Sequence, residues 1–260
     1  MTHSHLYNHA PQAKIHLMKL SIRILFFLCT IFNLSAETIV IKMPEVTVSS
    51  WLQQPGQLIL YKFNSKEHRL QVIDAPNSNL KEAMIQFRCE AGVNGGFFEA
   101  GNHKNPMGLL IQDSTILSEI HTQGFWAAGI VYDTGHDIRL ERKHKLSTTP
   151  RNMKQALQSG PFLVENGQIV KGLNNTKVDR RTFIATDNKG NWCIGICSPL
   201  SLQALAEWLA ASPKELEFRI DSALNLDGGS SSGLYAPGLY ISSLKSVRNY
   251  LGITKRAKLH

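Results

Sequence analysis

An α+β fold, built on a mixed, mostly antiparallel sheet with a few packed helices, is predicted by three features of this sequence. Segments with strand character outnumber segments with helical period. Strands come before and after each helical stretch, so no long alternation of strand and helix suggests a wholly parallel sheet. A chain of 260 residues with 43% hydrophobic content can bury a substantial core without disulfide staples.

The first segment reads as an export signal rather than as part of the fold. Lys14, Lys19 and Arg23 supply positive charge, residues 24–34 are apolar, and Leu34-Ser35-Ala36 resembles a cleavage site. The apolar run is too short for a membrane span. Cleavage after Ala36 is expected to leave a periplasmic or secreted protein with no stable membrane anchor. Cys29 has no small residues before it, which excludes a lipid-attachment site. Residues 1–36 hold three cations and no carboxylates, so their removal lowers the formal charge from +8 to +5. The remaining Lys and Arg are scattered rather than clustered with aromatics, which argues against nucleic acid and suits an anionic substrate.

Residues 37–90 are expected to form a β-rich N-terminal layer of the same domain that residues 91–260 complete. Strands are predicted at 38–42, 58–63 and 70–73, where Val, Ile, Leu and aromatics alternate between Pro, Gly and Asn-Ser breaks. Leu80, Ala83, Met84 and Phe87 recur at helical spacing behind Asn79, a capping residue, and predict a helix over 80–88. A buried strand then enters Asn94-Gly95-Gly96. Further strands are expected at 129–132, 162–164, 182–186 and 192–196, with Gly167 and Gly190 in hairpin turns. A second helix, opening at Ser198 or Ser201 and stopped by Pro213, carries Leu202, Leu205, Ala206 and Leu209 on one face. The strand 224–226 follows and delivers Asp227 to a turn. Cys193 and Cys197 on one strand would lie about 13 Å apart, too far to pair. Cys89 could pair with either, or all three could be buried thiols, and no spacing suggests zinc.

Four segments combine small residues with one polar group. Asn225-Leu226-Asp227-Gly228-Gly229-Ser230-Ser231 places a carboxylate beside glycines whose N–H groups can converge on an anion. Asp-Gly is also common turn chemistry. Asn94-Gly95-Gly96 offers an amide with both donor and acceptor, or simply a tight bend. Ser159-Gly160-Pro161 is a turn entering a strand. Asp179-Arg180-Arg181-Thr182 puts at a strand edge a guanidinium that can fork two hydrogen bonds to phosphate, or stay solvated. No Gly-x-Ser-x-Gly elbow supports a serine hydrolase.

Together and in this order, these segments resemble the phosphodiester glycosidase family from about residue 91 to 253. Asn105-Pro106-Met107-Gly108-Leu109, Phe162-Leu163-Val164 and Arg181-Thr182-Phe183-Ile184 add to the match. The chain has Gly228-Gly229-Ser230 where many relatives have three glycines, and Ala185 where they have glycine. The resemblance implies hydrolysis of the bond between a sugar anomeric carbon and a phosphate, as found in an envelope or exopolysaccharide glycan. It implies catalytic roles for Asp227, Arg181 and Asn94, and Glu99, beyond the first glycine pair, is a candidate second carboxylate. Arg181 would clamp phosphate with the N–H groups of Gly228 and Gly229, while Asn94 and Ser230 orient the substrate. Gly95, Gly96, Gly108, Ser159, Gly160, Thr182 and Ser231 complete the expected substrate-binding set. No cofactor is required, although a divalent cation near Asp227 is compatible. The alternative is a glycan-binding or envelope-assembly protein that keeps the fold without turnover. Segments 101–105 and 141–151 are expected to border the site.

Overall fold

A computed structural model describes residues 36–47, 53–101 and 105–257, so the predicted export signal lies, save its last residue, outside the described residues. In chain order the elements are β1 (Glu37–Thr47), β2 (Gln53–Asn64), β3 (His68–Asp74), α1 (Leu80–Gln86), β4 (Ala91–Asn94), β5 (Leu110–Gln112), β6 (Thr115–Ser118) and β7 (Gly129–Asp133). Then come β8 (Ile138–Arg142), β9 (Gln155–Ser159), β10 (Phe162–Glu165), β11 (Gln168–Ile169), β12 (Asp179–Thr186), β13 (Asn191–Leu200) and α2 (Leu202–Ala211). The chain closes with β14 (Ser222–Asn225), β15 (Leu234–Ala236), β16 (Leu239–Ile241) and β17 (Asn249–Lys255).

The strands form three sheets, with orders β1-β2-β13-β12-β14-β10-β11, β16-β15-β4-β17-β3 and β6-β5-β9-β7-β8. Every strand pairing in them is antiparallel. The architecture is therefore mainly β, and the expected α+β class holds only loosely, because two α-helices and four single-turn 3-10 helices are all the helical structure among the described residues. Residues 37–90 divide between two sheets: β2 pairs with β13, while β3 pairs with β17.

Both helices begin where their caps predict. Asn79 and Glu82 form a reciprocal capping box at 3.0 Å in each direction, and Ser201 Oγ accepts from the Ala204 N–H at 3.0 Å. Ser212, left-handed at φ 50°, ends α2 just before Pro213. The apolar stripe of α2, Leu202, Leu205, Ala206 and Leu209, packs against Phe183, Ala185 and Ala223 of the seven-stranded sheet. Leu205 and Leu209 are fully buried, each contributing on the order of 2 kcal/mol. The other face of that sheet meets both five-stranded sheets in the principal core, where Phe63, Val93, Val131, Leu157, Ile194 and Leu251 interdigitate. With both faces covered, β12 and β14 read as continuous buried runs. Cys89, Cys193 and Cys197 are free and buried, and burial raises each thiol to about 12.

This packing brings strand ends from two of the sheets to one place. From the last residue of β14 onward, Asn225 N–H donates to Pro161 O at 2.9 Å, Leu226 N–H to Thr182 O at 2.8 Å and Asp227 N–H to Gly95 O at 3.1 Å. The loop that starts at Asp227 is thus tied to the segments of β10, β12 and β4 in succession.

Candidate active site

The loop 227–233 is held by a buried polar brace. Asn94, 1% exposed at the end of β4, donates Nδ2–H to Asp227 O at 2.7 Å. Its Oδ1 accepts from Thr182 Oγ1 at 2.8 Å and from Gly233 N–H at 3.1 Å. Both ends of one amide are spent on the loop, which leaves Asn94 positioning the chain rather than facing solvent. Arg180 adds a second hold, donating from Nη2 to Ser232 O. Within the loop, Gly228 N–H donates to Asp227 Oδ1 at 2.9 Å. Gly229 adopts φ +63°, a left-handed conformation that favours glycine.

Beside this loop lies a cleft of about 620 Å³. It is lined by Asp179, Arg181, Asp227, Gly228, Gly229 and Ser230 and by the apolar Phe97, Met107, Phe125 and Trp126. Gly160, Pro161, Asn225, Asn174, Lys177, Leu202 and Lys245 also line it. The aromatic lining is braced: Trp126 stacks on His121 at 4.5 Å and meets Phe97 edge-on at 6.2 Å. Phe125 stands 71% exposed. A larger cavity of about 830 Å³, bordered by His136, Glu141, Trp192 and Arg256, contains none of the expected site residues.

Charge in the cleft is arranged around Asp227. Burial raises its pKa, while Ser231, Lys245, the Gly228 N–H and Lys177 favour its ionised form. Ser231 Oγ does this from close by without forming a hydrogen bond of normal geometry, since it is buried and unpartnered. Arg181 is 8% exposed; its Nε donates to Leu200 O at 2.9 Å and its Nη2 to Lys177 O at 2.6 Å. Burial lowers its pKa, opposed by Asp179, but a guanidinium remains charged throughout the working range. Lys177 and Lys245 are exposed, and Lys245 Nζ sits 5.2 Å from the centre of the Phe98 ring.

Among the described residues, four buried side-chain atoms have no hydrogen-bond partner, and three belong to segments around this cleft: Ser159 Oγ, Asn225 Oδ1 and Ser231 Oγ. Asn225 is oriented unambiguously, because its Nδ2 donates to Gly160 O at 2.9 Å and Leu226 O at 2.7 Å.

The structure brings Asp227, Arg181, Gly160, Gly228, Gly229 and Ser230 into one cleft and redirects the other expected residues. Gly95 and Gly96 donate their N–H groups to Asn249, at O and Oδ1 respectively, so they hold no anion cradle. Gly228 N–H is likewise taken by Asp227, leaving Gly229 and Ser230 as the loop N–H groups with no acceptor among the described residues. Thr182, Ser159 and Ser231 are 0% exposed. Gly108 packs on Gln158, whose Oε1 lies 2.7 Å from where a Cβ would stand. Glu99 is exposed and bound to Asn105 Nδ2 at 2.9 Å, outside the cleft. It follows Gly95-Gly96 in sequence, but the Phe98–Pro106 bridge carries it into a separate turn. Residues 102–104 are not described, and no residue of 141–151 lines the cleft.

Sequence reasoning passed over Asp179, Asn174, Lys177, Lys245 and the aromatic lining. Only Asp179, two positions before Arg181 on one strand, carried a signal that could have been followed. Among the described residues no group of three or more His, Cys, Asp or Glu is arranged to hold a metal ion. No described helix is long and apolar enough to cross a membrane.

Comparison with known proteins identifies the fold and the family. The fold is similar to the catalytic domain of zebrafish N-acetylglucosamine-1-phosphodiester alpha-N-acetylglucosaminidase, auto-inhibited by its pro-peptide, with TM-score 0.64 and 14% identity over 85% of this chain and 84% of that one. A Synechocystis protein of hypothetical function gives TM-score 0.54 and 16% identity, covering 85% of this chain and 62% of that one. A Burkholderia pseudomallei protein provisionally described as exported gives TM-score 0.56 and 10% identity, over 76% and 74%. No curated protein matches in a sequence search. Residues 87–257 match the family model of phosphodiester glycosidase, which spans most of the described fold and all of the cleft residues, and the chain belongs to the phosphodiester glycosidase family.

Proposed function

We propose that this protein is an exported hydrolase that cleaves the glycosidic bond of a sugar 1-phosphodiester in an envelope or exopolysaccharide glycan, acting in the periplasm or after secretion. The observation that carries this reading is the meeting, in one cleft, of Arg181, Lys177 and Lys245 around a half-buried carboxylate with the aromatic Phe97, Phe125 and Trp126. Phosphate is a good leaving group, so the reaction needs an anion clamp, a carboxylate near the anomeric carbon and a surface for the sugar ring.

Arg181, Lys177 and Lys245, with the free N–H groups of Gly229 and Ser230, would hold the phosphate. Asp227 would face the anomeric carbon and stabilise the positive charge that develops there, its field strengthened by partial burial. Phe125 and Trp126 would receive the apolar face of the sugar, and Asn94 would keep Asp227 in register through its carbonyl. This chemistry requires no cofactor.

A panel of sugar 1-phosphates, nucleotide sugars and synthetic sugar 1-phosphodiesters tests the reading. At least one phosphodiester should release reducing sugar and a phosphomonoester. Tight glycan binding with no release from any of them would instead assign a binding protein.

A further inference from the structure

We propose that Asp179 is the catalytic base of this site, the group that removes a proton from the attacking water. The proposal rests on the hydrolase reading above and replaces Glu99 as the second carboxylate.

Three observations converge on Asp179. Asp179 and Arg181 stand two positions apart on β12, so strand alternation turns both to one face and Arg180 to the other. Here Asp179 and Arg181 both line the cleft, while the intervening Arg180 turns away to grip Ser232 O. Second, the carboxylate is held at one end only. Oδ2 lies 3.2 Å from Lys177 Nζ, whereas Oδ1 has no donor among the described residues and sits 3.6 Å from the position a Gly229 Cβ would take. An acceptor oxygen with no donor among the described residues therefore lies next to the loop that starts at Asp227. Third, the Asp179 side chain is 34% exposed, so water reaches it from solvent. Asp227 is half-buried and engages Gly228 N–H through Oδ1. Two carboxylates in one cleft, one exposed to incoming water and one against the substrate, divide the work of glycoside hydrolysis.

The step balances with water alone. The water oxygen bonds to the anomeric carbon as its proton passes to Asp179 Oδ1. The bond from the anomeric carbon to the phosphate oxygen breaks, and its electron pair leaves with the phosphate. Free sugar and a phosphomonoester result, and Asp179 returns the proton to solvent.

Asp179→Asn, which keeps the shape, tests this on a sugar 1-phosphodiester with sodium azide as external nucleophile. Turnover should fall by about a hundredfold or more. Azide, which needs no base, should restore it and yield a glycosyl azide. Glu99→Gln, outside the cleft, should retain turnover. Wild-type turnover in Asp179→Asn, or a loss that azide does not relieve, overturns the assignment while leaving the hydrolase reading standing. A wild-type protein that hydrolyses no diester overturns both.

Discussion

Two glycine pairs, Gly95-Gly96 and Gly228-Gly229, each follow a polar residue beyond a strand end, yet the structure uses them differently. At Gly95 a Cβ would stand 2.0 Å from Asn249 Oδ1, and at Gly96 one would stand 2.8 Å from Gln158 O. Neither has positive φ, and both donate to Asn249. They are glycine because neighbouring chains press against them. Gly228 shares some of that crowding, with Arg180 O 2.9 Å from its Cβ position. Gly229 does not: its nearest neighbour is a cleft carboxylate at 3.6 Å, and its φ of +63° is what excludes side chains. One pair packs the strand ends together, and the other presents backbone to the cleft. Similar dipeptides thus separate only by what surrounds them.

The comparison can be broken by substitution, taken here from the largest expected effect on stability to the smallest. Gly95→Ala should destabilise the fold by about 3 kcal/mol, since Asn249 and Leu157 must both move, and denaturant unfolding would show it. Asn94→Ala should cost about 2 kcal/mol, because Gly233 N–H and Asp227 O lose a buried partner, and turnover should fall as the loop loosens. Gly229→Ala should cost only about 1 kcal/mol through its positive φ, with a larger relative effect on KM for a phosphodiester than on melting temperature. If Gly229→Ala unfolds the protein and Gly95→Ala impairs only KM, the two pairs have been assigned the wrong way round.

The smallest effect concerns pH. Burial raises the Asp227 pKa, so the folded state binds this proton more tightly than the unfolded chain. That contribution is fully present below the unfolded carboxylate pKa and is lost as pH rises through the folded value. Above that value an ionised Asp227 is held at a cost to stability. Asp227→Asn should raise the melting temperature at pH 7, and the difference should vanish as the pH falls into the carboxylate range. A variant less stable than wild type at pH 7 would mean that Asp227 is a structural carboxylate.

The sequence shows some of this plainly. Asn79 announces its helix and Ser201 is one of two serines that could open the other, while Asp227, Gly229 and Arg181 stand out only through the order of the small-residue segments, since Asp-Gly alone is common turn chemistry. Other features leave no local trace. In β9 every residue is buried, so Gln155-Ala156-Leu157-Gln158-Ser159 lacks the alternation that marks a strand. Gln158 looks like a solvated side chain, yet its amide serves Leu109 N–H, His121 N–H, His121 O and Ala127 O. Lys177, Lys245 and Trp126 come from segments far apart in the chain, and only folding makes them neighbours. Glu99 shows the reverse error, since adjacency in sequence to a glycine pair does not place a carboxylate in the cleft beside it.

The most direct test is turnover of a sugar 1-phosphodiester by Asp227→Asn beside wild type, with circular dichroism confirming the fold of both. Loss of the charge at constant shape should lower kcat by about a thousandfold while leaving the spectra superimposable. Near-wild-type turnover in the variant would contradict the assignment of the Asp227 cleft as the place where the glycosidic bond is broken.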